Sequence, residues 1–203
     1  MPSKFPCFMT ERMDLARVSL RRFTFSGKSV NYEGKDCPGR EGCGHNAEVV
    51  IDPAVDYKPK DPNYNGERRI GDPNDPRWPT ICDSCDYEFT PGDEFQHVQE
   101  RLYKLPNGML VVQADAPPGA MFYSQWHEDH WGYKGPDGRC LQVMLPPGGI
   151  SCLWEIDGPA NNGPGWTRTG EPPNVSAQPS IKTSQYHGFL TNGVLEACGD
   201  SPT

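Results

Sequence analysis

Glycine and proline, 22 of each in 203 residues, punctuate this chain so often that it should fold as short elements joined by many turns and long loops. Proline fixes φ and removes a backbone donor, and glycine opens backbone conformations closed to other residues. A small core wrapped in irregular chain is the expected outcome, within one large domain or one domain with a small appended module.

Alternating apolar residues then decide the fold class. Cys140 to Leu145 and Ile150 to Ile156 flank Pro146-Pro147-Gly148-Gly149, a four-residue hairpin loop. Pairing Leu145 with Ile150 collects Leu141, Val143, Leu145, Ile150, Cys152 and Trp154 on one face, with Cys140 opposite Glu155. Tyr186 to Thr191 and Val194 to Ala197 flank Asn192-Gly193, the dipeptide favoured in a type I′ turn. In that register Cys198 lies across from His187. A further strand is expected from Leu15 to Phe25, with Val18, Leu20 and Phe23 as its buried residues.

The segment 91–135 carries mixed signals. Thr90-Pro91-Gly92-Asp93 offers an N-cap, a proline at N1 and an acid at N3, and Phe95, Val98, Leu102 and Leu105 follow at helical spacing. Leu102 to Val112 instead resembles a hairpin about Pro106-Asn107-Gly108. A short helix followed by a strand is expected here, and another short helix within 119–131. The loop 52–79 holds six prolines and should carry little regular structure.

Eight cysteines without an apolar export segment at the start point to reduced thiols and metal ligands rather than disulfides. Cys82-Asp83-Ser84-Cys85 is a C-x2-C knuckle, and Cys37-Pro38-Gly39-Arg40-Glu41-Gly42-Cys43-Gly44-His45 supplies a second set of donors. Zinc takes four N or S ligands in a tetrahedron, and two ligand pairs on separate turns provide them. Cys37, Cys43, His45, Cys82 and Cys85 are five candidates for four places, and His45 can replace Cys43. The spacer to Cys82 is wide for a minimal ribbon, so the proline-rich loop is an insertion. A fourth protein ligand at hand points to a structural rather than a catalytic ion.

The fold expected is therefore mainly β with one or two short helices: a zinc-ribbon or treble-clef-like module packed on antiparallel hairpins, with long Gly/Pro-rich loops. Residues 1–90 would hold the N-terminal strand and the zinc module, and residues 91–203 a mostly antiparallel β region continuous with it.

Two other clusters invite chemistry. His127 and His130, three apart on a helix, share a face and could hold a metal, although Trp126 and Trp131 beside them suit an aromatic packing segment. His187 and Cys198 could form a nucleophilic pair, but the sequence shows no acid to orient the histidine, and a packed strand pair explains them as well. Cys152 is expected in the core, Cys7 has no local partner, and Asp157 sits in a loop where such residues close turns. No phosphate-cradling glycine loop and no serine-hydrolase or metalloprotease motif is present.

The formal net charge of −8 argues against a nucleic-acid or anionic-membrane partner. Arg17, Arg21 and Arg22, and the smaller pair Arg68 and Arg69, are expected to be solvated surface charge. No run approaches the roughly 20 apolar residues of a membrane span.

Six stretches resemble a family of zinc-knuckle proteins encoded in tailed-phage genomes and prophages: residues 37–47, DPRWPTICDSCDYEF (75–89), DAPPGAMFY (115–123), GPDGRCLQVMLP (135–146), GEPPNVSAQPSI (170–181) and YHGFLTNGVL (186–195). The resemblance implies that positions Cys37, Cys82 and Cys85 and a histidine at His45 belong together, whereas local knuckle geometry favours Cys43 as the fourth ligand. It implies no catalytic residues. With it, the expected role is a virion structural protein, either head decoration or head–tail component. Its partners would be phage structural proteins such as the major capsid protein, and copies of itself within an assembly, after a stay in the host cytoplasm. The alternatives are an intracellular zinc adaptor and, third, a small enzyme using the Cys–His pair.

Overall fold

A computed structural model describes residues 3–24, 45–52, 66–69, 72, 74–158 and 165–201. It is mainly β, with antiparallel pairing predominant. The chain divides into two compact units, residues 14–101 and residues 1–13 with 102–203.

In the first unit the strand Glu11–Phe23 lies between Asn46–Asp52 and Glu94–Lys104, and Gly66–Arg69 pairs with the latter. Ala16, Val18 and Leu20 are buried at alternate positions, the period a strand requires, while Phe23 is half-buried. Leu20 pairs with Val49 and Arg22 with Ala47. Gly66–Arg69 is regular structure inside the proline-rich loop, where little was expected; Gly66 faces Glu100 and Arg69 faces His97.

Glu94–Lys104 corrects the expected helix. Val98 and Leu102 are buried on one side of the strand, and Gln99, Arg101 and Tyr103 on the other. Burying long polar side chains hides the two-residue period, so the remaining apolar residues fall at helical spacing by default. The cap signals close a turn instead: the Asp93 N–H donates to the Thr90 carbonyl at 3.1 Å, and the Thr90 N–H to Asp93 Oδ2 at 2.6 Å.

The second unit holds two sheets. One runs in the order Lys4–Pro6, Val194–Ala197, His187–Thr191, Ser176–Lys182, Thr167–Thr169. The other runs Leu153–Glu155, Leu141–Met144, Ala120–Tyr123, Phe8–Met9, the last pair parallel. Their side chains share one core, including Phe122, Leu141, Ile156, Ile181, Leu190 and Leu195. Tyr103 meets Phe122 edge-on at 4.8 Å. The hairpin about Pro106-Asn107-Gly108, the reading set against the expected helix, is the one that forms, with Leu102 opposite Val112.

The Asn192-Gly193 turn also forms as expected: both residues have positive φ (45° and 73°), and Thr191 pairs with Val194. The other hairpin differs. Residues Ile150–Cys152 coil into a 3-10 turn, so Met144 pairs with Leu153 and Gln142, not Cys140, with Glu155. Ile150 is left 62% exposed, and all four residues of Leu141–Met144 are buried, so this strand has no solvent face. Within 119–131, Ala120–Tyr123 is a strand and only Gln125–His130 is helical.

Asp157 does more than close a turn. Arg168, fully buried on Thr167–Thr169, donates Nε to Asp157 Oδ1 at 2.8 Å and Nη2 to Asp137 Oδ1 at 2.5 Å. Asp157 Oδ2 accepts the Leu141 N–H at 2.8 Å, and the Arg168 guanidinium also reaches the Arg139 carbonyl. One buried cation thus fastens two loop segments, one holding Asp137 and Arg139 and the other Asp157, to the start of a core strand.

Removing one member of a buried ion pair strands the others. Arg168→Ala should therefore lower the unfolding free energy by about 3–5 kcal/mol in urea titration. Burial alone would raise the Asp137 carboxyl, but the Arg168 guanidinium and the Arg139 N–H hold it below the ordinary range. A carboxyl with a depressed folded-state pKa stabilises the fold above its unfolded value, about 3.9. That stability is lost as pH falls through the folded value. Asp137→Asn should flatten the loss of stability below about pH 5, measured by urea midpoints across an acid series.

Candidate metal centre

Three side chains of the first unit bring donor atoms together: His45, Cys82 and Cys85, whose ligand atoms all lie within 4.8 Å of one another. Local backbone pairing explains why. His45 directly precedes the strand Asn46–Asp52, and its carbonyl accepts the Thr24 N–H at 3.0 Å while its own N–H reaches Thr24 Oγ1 at 3.2 Å. The knuckle is a tight turn closed by the Cys82 N–H on the Tyr87 carbonyl at 2.9 Å and a bridge between Ile81 and Glu88. It docks on the strand through the Asp83 N–H to the Asn46 carbonyl, 2.9 Å, and the Glu48 N–H to Asp83 Oδ2, 3.1 Å.

The sulfur of Cys82 is prepared to carry charge. It accepts the Asn46 N–H at 3.3 Å and the Ser84 N–H at 3.5 Å. Burial pushes this thiol up, but the amides of Ser84, Asn46 and Cys85 outweigh it and bring it below the ordinary thiol value. His45 Nδ1 stands 3.3 Å from Cys85 Sγ, and the imidazole stacks on Tyr87 with ring centres 3.6 Å apart and planes within 5°. His45 and Cys82 are buried and Cys85 is half-buried.

Zinc fits this set. Zn–S of about 2.3 Å and Zn–N of about 2.0–2.1 Å in a tetrahedron put an S and an N ligand about 3.6 Å apart, close to the His45–Cys85 separation. Of the five sequence candidates, the structure brings His45, Cys82 and Cys85 together; Cys37 and Cys43 lie outside the described residues.

The histidines of Gln125–His130 do not join in a metal site among the described residues. His127 Nδ1 bonds Ser124 Oγ at 2.6 Å and its Nε2 faces Glu155 Oε1 at 3.2 Å. Burial holds the His127 imidazole below its usual value against the pull of Glu155. His130 Nδ1 bonds the Trp126 carbonyl at 2.9 Å and its ring stacks on Trp126 at 4.8 Å. The two side chains serve aromatic packing and separate hydrogen bonds.

The C-terminal hairpin forms the second donor group, His187, Cys198 and Asp200. Asp200 is the orienting acid that the sequence did not reveal, with Oδ1 2.8 Å from His187 Nδ1. Its place two residues beyond Cys198, in a Gly-Asp-Ser turn after a strand, was the available signal. The remaining cysteines are inert. Burial pushes Cys7 and Cys140 each up to about 12, and Cys152 is a core residue whose thiol donates to Gln185 Oε1 at 2.6 Å.

Arg17, Arg21 and Arg22, expected as solvated charge, are paired within the fold. Arg17 meets Glu100 at 3.0 Å, Arg21 bonds Glu48, and Arg22 caps the carbonyls of Pro79 and Thr90 while lying over the Phe89 ring at 5.0 Å. No helix among the described residues is long and apolar enough to cross a membrane. Compared with protein-family models, curated proteins and solved structures, the chain matches none.

A metal held by these residues would be part of the fold of the first unit. The double variant Cys82→Ser/Cys85→Ser should bind at least tenfold less metal and lose the cooperative thermal transition of that unit, followed by calorimetry. A normal melt with undiminished metal content would remove the site.

Proposed function

We propose that this chain is a zinc-fastened structural protein of a tailed-phage particle, acting in its assembly. The observation that carries the zinc is the convergence of His45, Cys82 and Cys85 on one point, with backbone amides already aimed at the Cys82 sulfur. Two thiolates and an imidazole are a soft set that favours zinc among the common divalent ions. A fourth ligand from Cys37 or Cys43 closes the coordination sphere, leaving no open position for a substrate or an activated water. The strand and docked knuckle then correspond to a ribbon-like or treble-clef-like module.

Placement in a phage particle rests on the resemblance of residues 75–89, 115–123, 135–146, 170–181 and 186–195 to proteins encoded in tailed-phage genomes. Exposed apolar side chains at Ile81, Met109, Trp131, Ile150 and Phe189, each at least half exposed, support contacts with neighbouring subunits. The major capsid protein or further copies of this chain are the partners proposed.

Elemental analysis of the purified full chain should give one zinc for this site, lost on Cys37→Ser or Cys43→Ser, whichever supplies the fourth ligand. Quantitative mass spectrometry of purified particles should find this chain at a fixed ratio to the major capsid protein. Zinc binding with absence from clean particles would instead support an intracellular adaptor that binds a host or phage protein during infection.

A further inference from the structure

The C-terminal hairpin assembles a second cluster, independent of the zinc site. Cys198 follows the strand Val194–Ala197, and its N–H donates to the His187 carbonyl at 2.8 Å, so the two residues face each other across the hairpin's open end. The chain then folds back on itself: the Ser201 N–H donates to the Cys198 carbonyl at 3.0 Å, and the His187 N–H to Ser201 Oγ at 3.1 Å. That turn delivers Asp200 Oδ1 to 2.8 Å from His187 Nδ1. One ring nitrogen of His187, the sulfur of Cys198 and a carboxylate oxygen of Asp200 lie within 4.8 Å of one another.

We propose that Cys198 is an activated thiol, with His187 as its base and Asp200 as the group that orients the base, and that its substrates are acyl donors (esters or thioesters) presented at the surface. A hydrogen bond from Nδ1 to a carboxylate fixes the tautomer and leaves the Nε2 lone pair for a thiol proton. Hydrogen bonding to His187 also holds the Asp200 carboxyl below its ordinary value, so the acid stays charged. The imidazole side chain is 21% exposed and the Asp200 side chain 66%, which leaves the group open to solvent and reagents.

The 2.8 Å separation also decides against a second zinc. It is the length of a charge-assisted N–H···O bond, whereas N and O ligands on one tetrahedral ion stand about 3.3 Å apart. With Nδ1 protonated, only Cys198 and one ring nitrogen remain as ligands.

Lys182, opposite His187 in the neighbouring strand, is the nearby cation that favours the Asp200 carboxylate.

As Cys198 Sγ attacks the acyl carbonyl carbon, its proton passes to His187 Nε2. Collapse of the adduct breaks the bond to the leaving oxygen or sulfur, which takes that proton and departs, leaving an S-acyl cysteine. Water then attacks the thioester carbon and gives its proton to the same nitrogen. Expulsion of the thiol releases a carboxylic acid and restores the starting state.

The test is site-resolved alkylation of the full chain by iodoacetamide across pH, with p-nitrophenyl acetate as the acyl donor. Cys198 should alkylate at least tenfold faster at pH 6.5 than the same residue in denaturant. His187→Ala should restore the ordinary profile, and Asp200→Asn, at an exposed site, should lower the rate several-fold with an unchanged melt. The ester should give a burst of up to one nitrophenol per chain, lost in Cys198→Ser and kept in Cys7→Ser. An ordinary alkylation profile for Cys198 overturns the proposal, as does a missing burst. A second zinc equivalent lost in Cys198→Ser overturns it in favour of a metal site. If His187→Ala does not fold, Asp200→Asn decides alone, and an unchanged rate there overturns the role of the acid.

Discussion

Short strands leave many backbone amides at their ends without a ladder partner, and in this protein carboxylates accept several of them, Asp157 and Glu128 from inside the fold. Asp157 takes the Leu141 N–H, Glu128 takes the Cys140 N–H at 3.0 Å, and Asp137 takes the Arg139 N–H at 3.0 Å. Asp83 and Asp93 do the same for Glu48 and Thr90. A buried amide without an acceptor costs about 1–3 kcal/mol, so each of these contacts protects a strand end that the Gly/Pro-rich chain could not extend. The acidic balance of the sequence is thus spent partly inside the fold. Arg168 and Arg139 neutralise the carboxylates most deeply placed.

The cysteine knuckle follows the same rule with sulfur in place of oxygen. Cys82 Sγ accepts the Asn46 and Ser84 amides at the start of a strand, where a carboxylate stands in the other unit. Sulfur adds what oxygen does not, a soft ligand at a distance suited to zinc. Electrostatics that finish a strand end also lower the cost of a thiolate, so folding and metal binding draw on one set of amides. Both devices should weaken in acid, because protonation removes the acceptor's charge in each.

Legibility tracks where the deciding groups lie in the chain. The Asn192-Gly193 hairpin could be read because its turn chemistry and its apolar alternation agree within a dozen residues. Cys82 and Cys85 could be read for the same reason, and His45 only as one of several donors, since its approach depends on pairing with Thr24. Glu94–Lys104 could not, because Gln99 and Arg101 are buried like apolar residues and erase the period. The register of Leu141–Met144 was lost to a 3-10 turn at Ile150–Cys152, a local coil that no alternation rule anticipates. Arg168 is eleven residues from one of its carboxylates and thirty-one from the other, and a contact at that range leaves no local pattern.

Asp200 shows how a hairpin register propagates beyond its last pair. Once Thr191 faces Val194, parity places Cys198 against His187, and the turn over 198–201 brings its acid to that histidine. The turn is held by Ser201 in both directions, accepting from His187 and donating to Cys198, so the aspartate does not set its own position. A carboxylate serving only to satisfy backbone would accept an amide, as Asp157, Glu128 and Asp137 do. Asp200 accepts an imidazole as well as its own backbone amide, while the neighbouring serine takes the amide of His187. That division of labour separates the C-terminal acid from the structural carboxylates of the same unit.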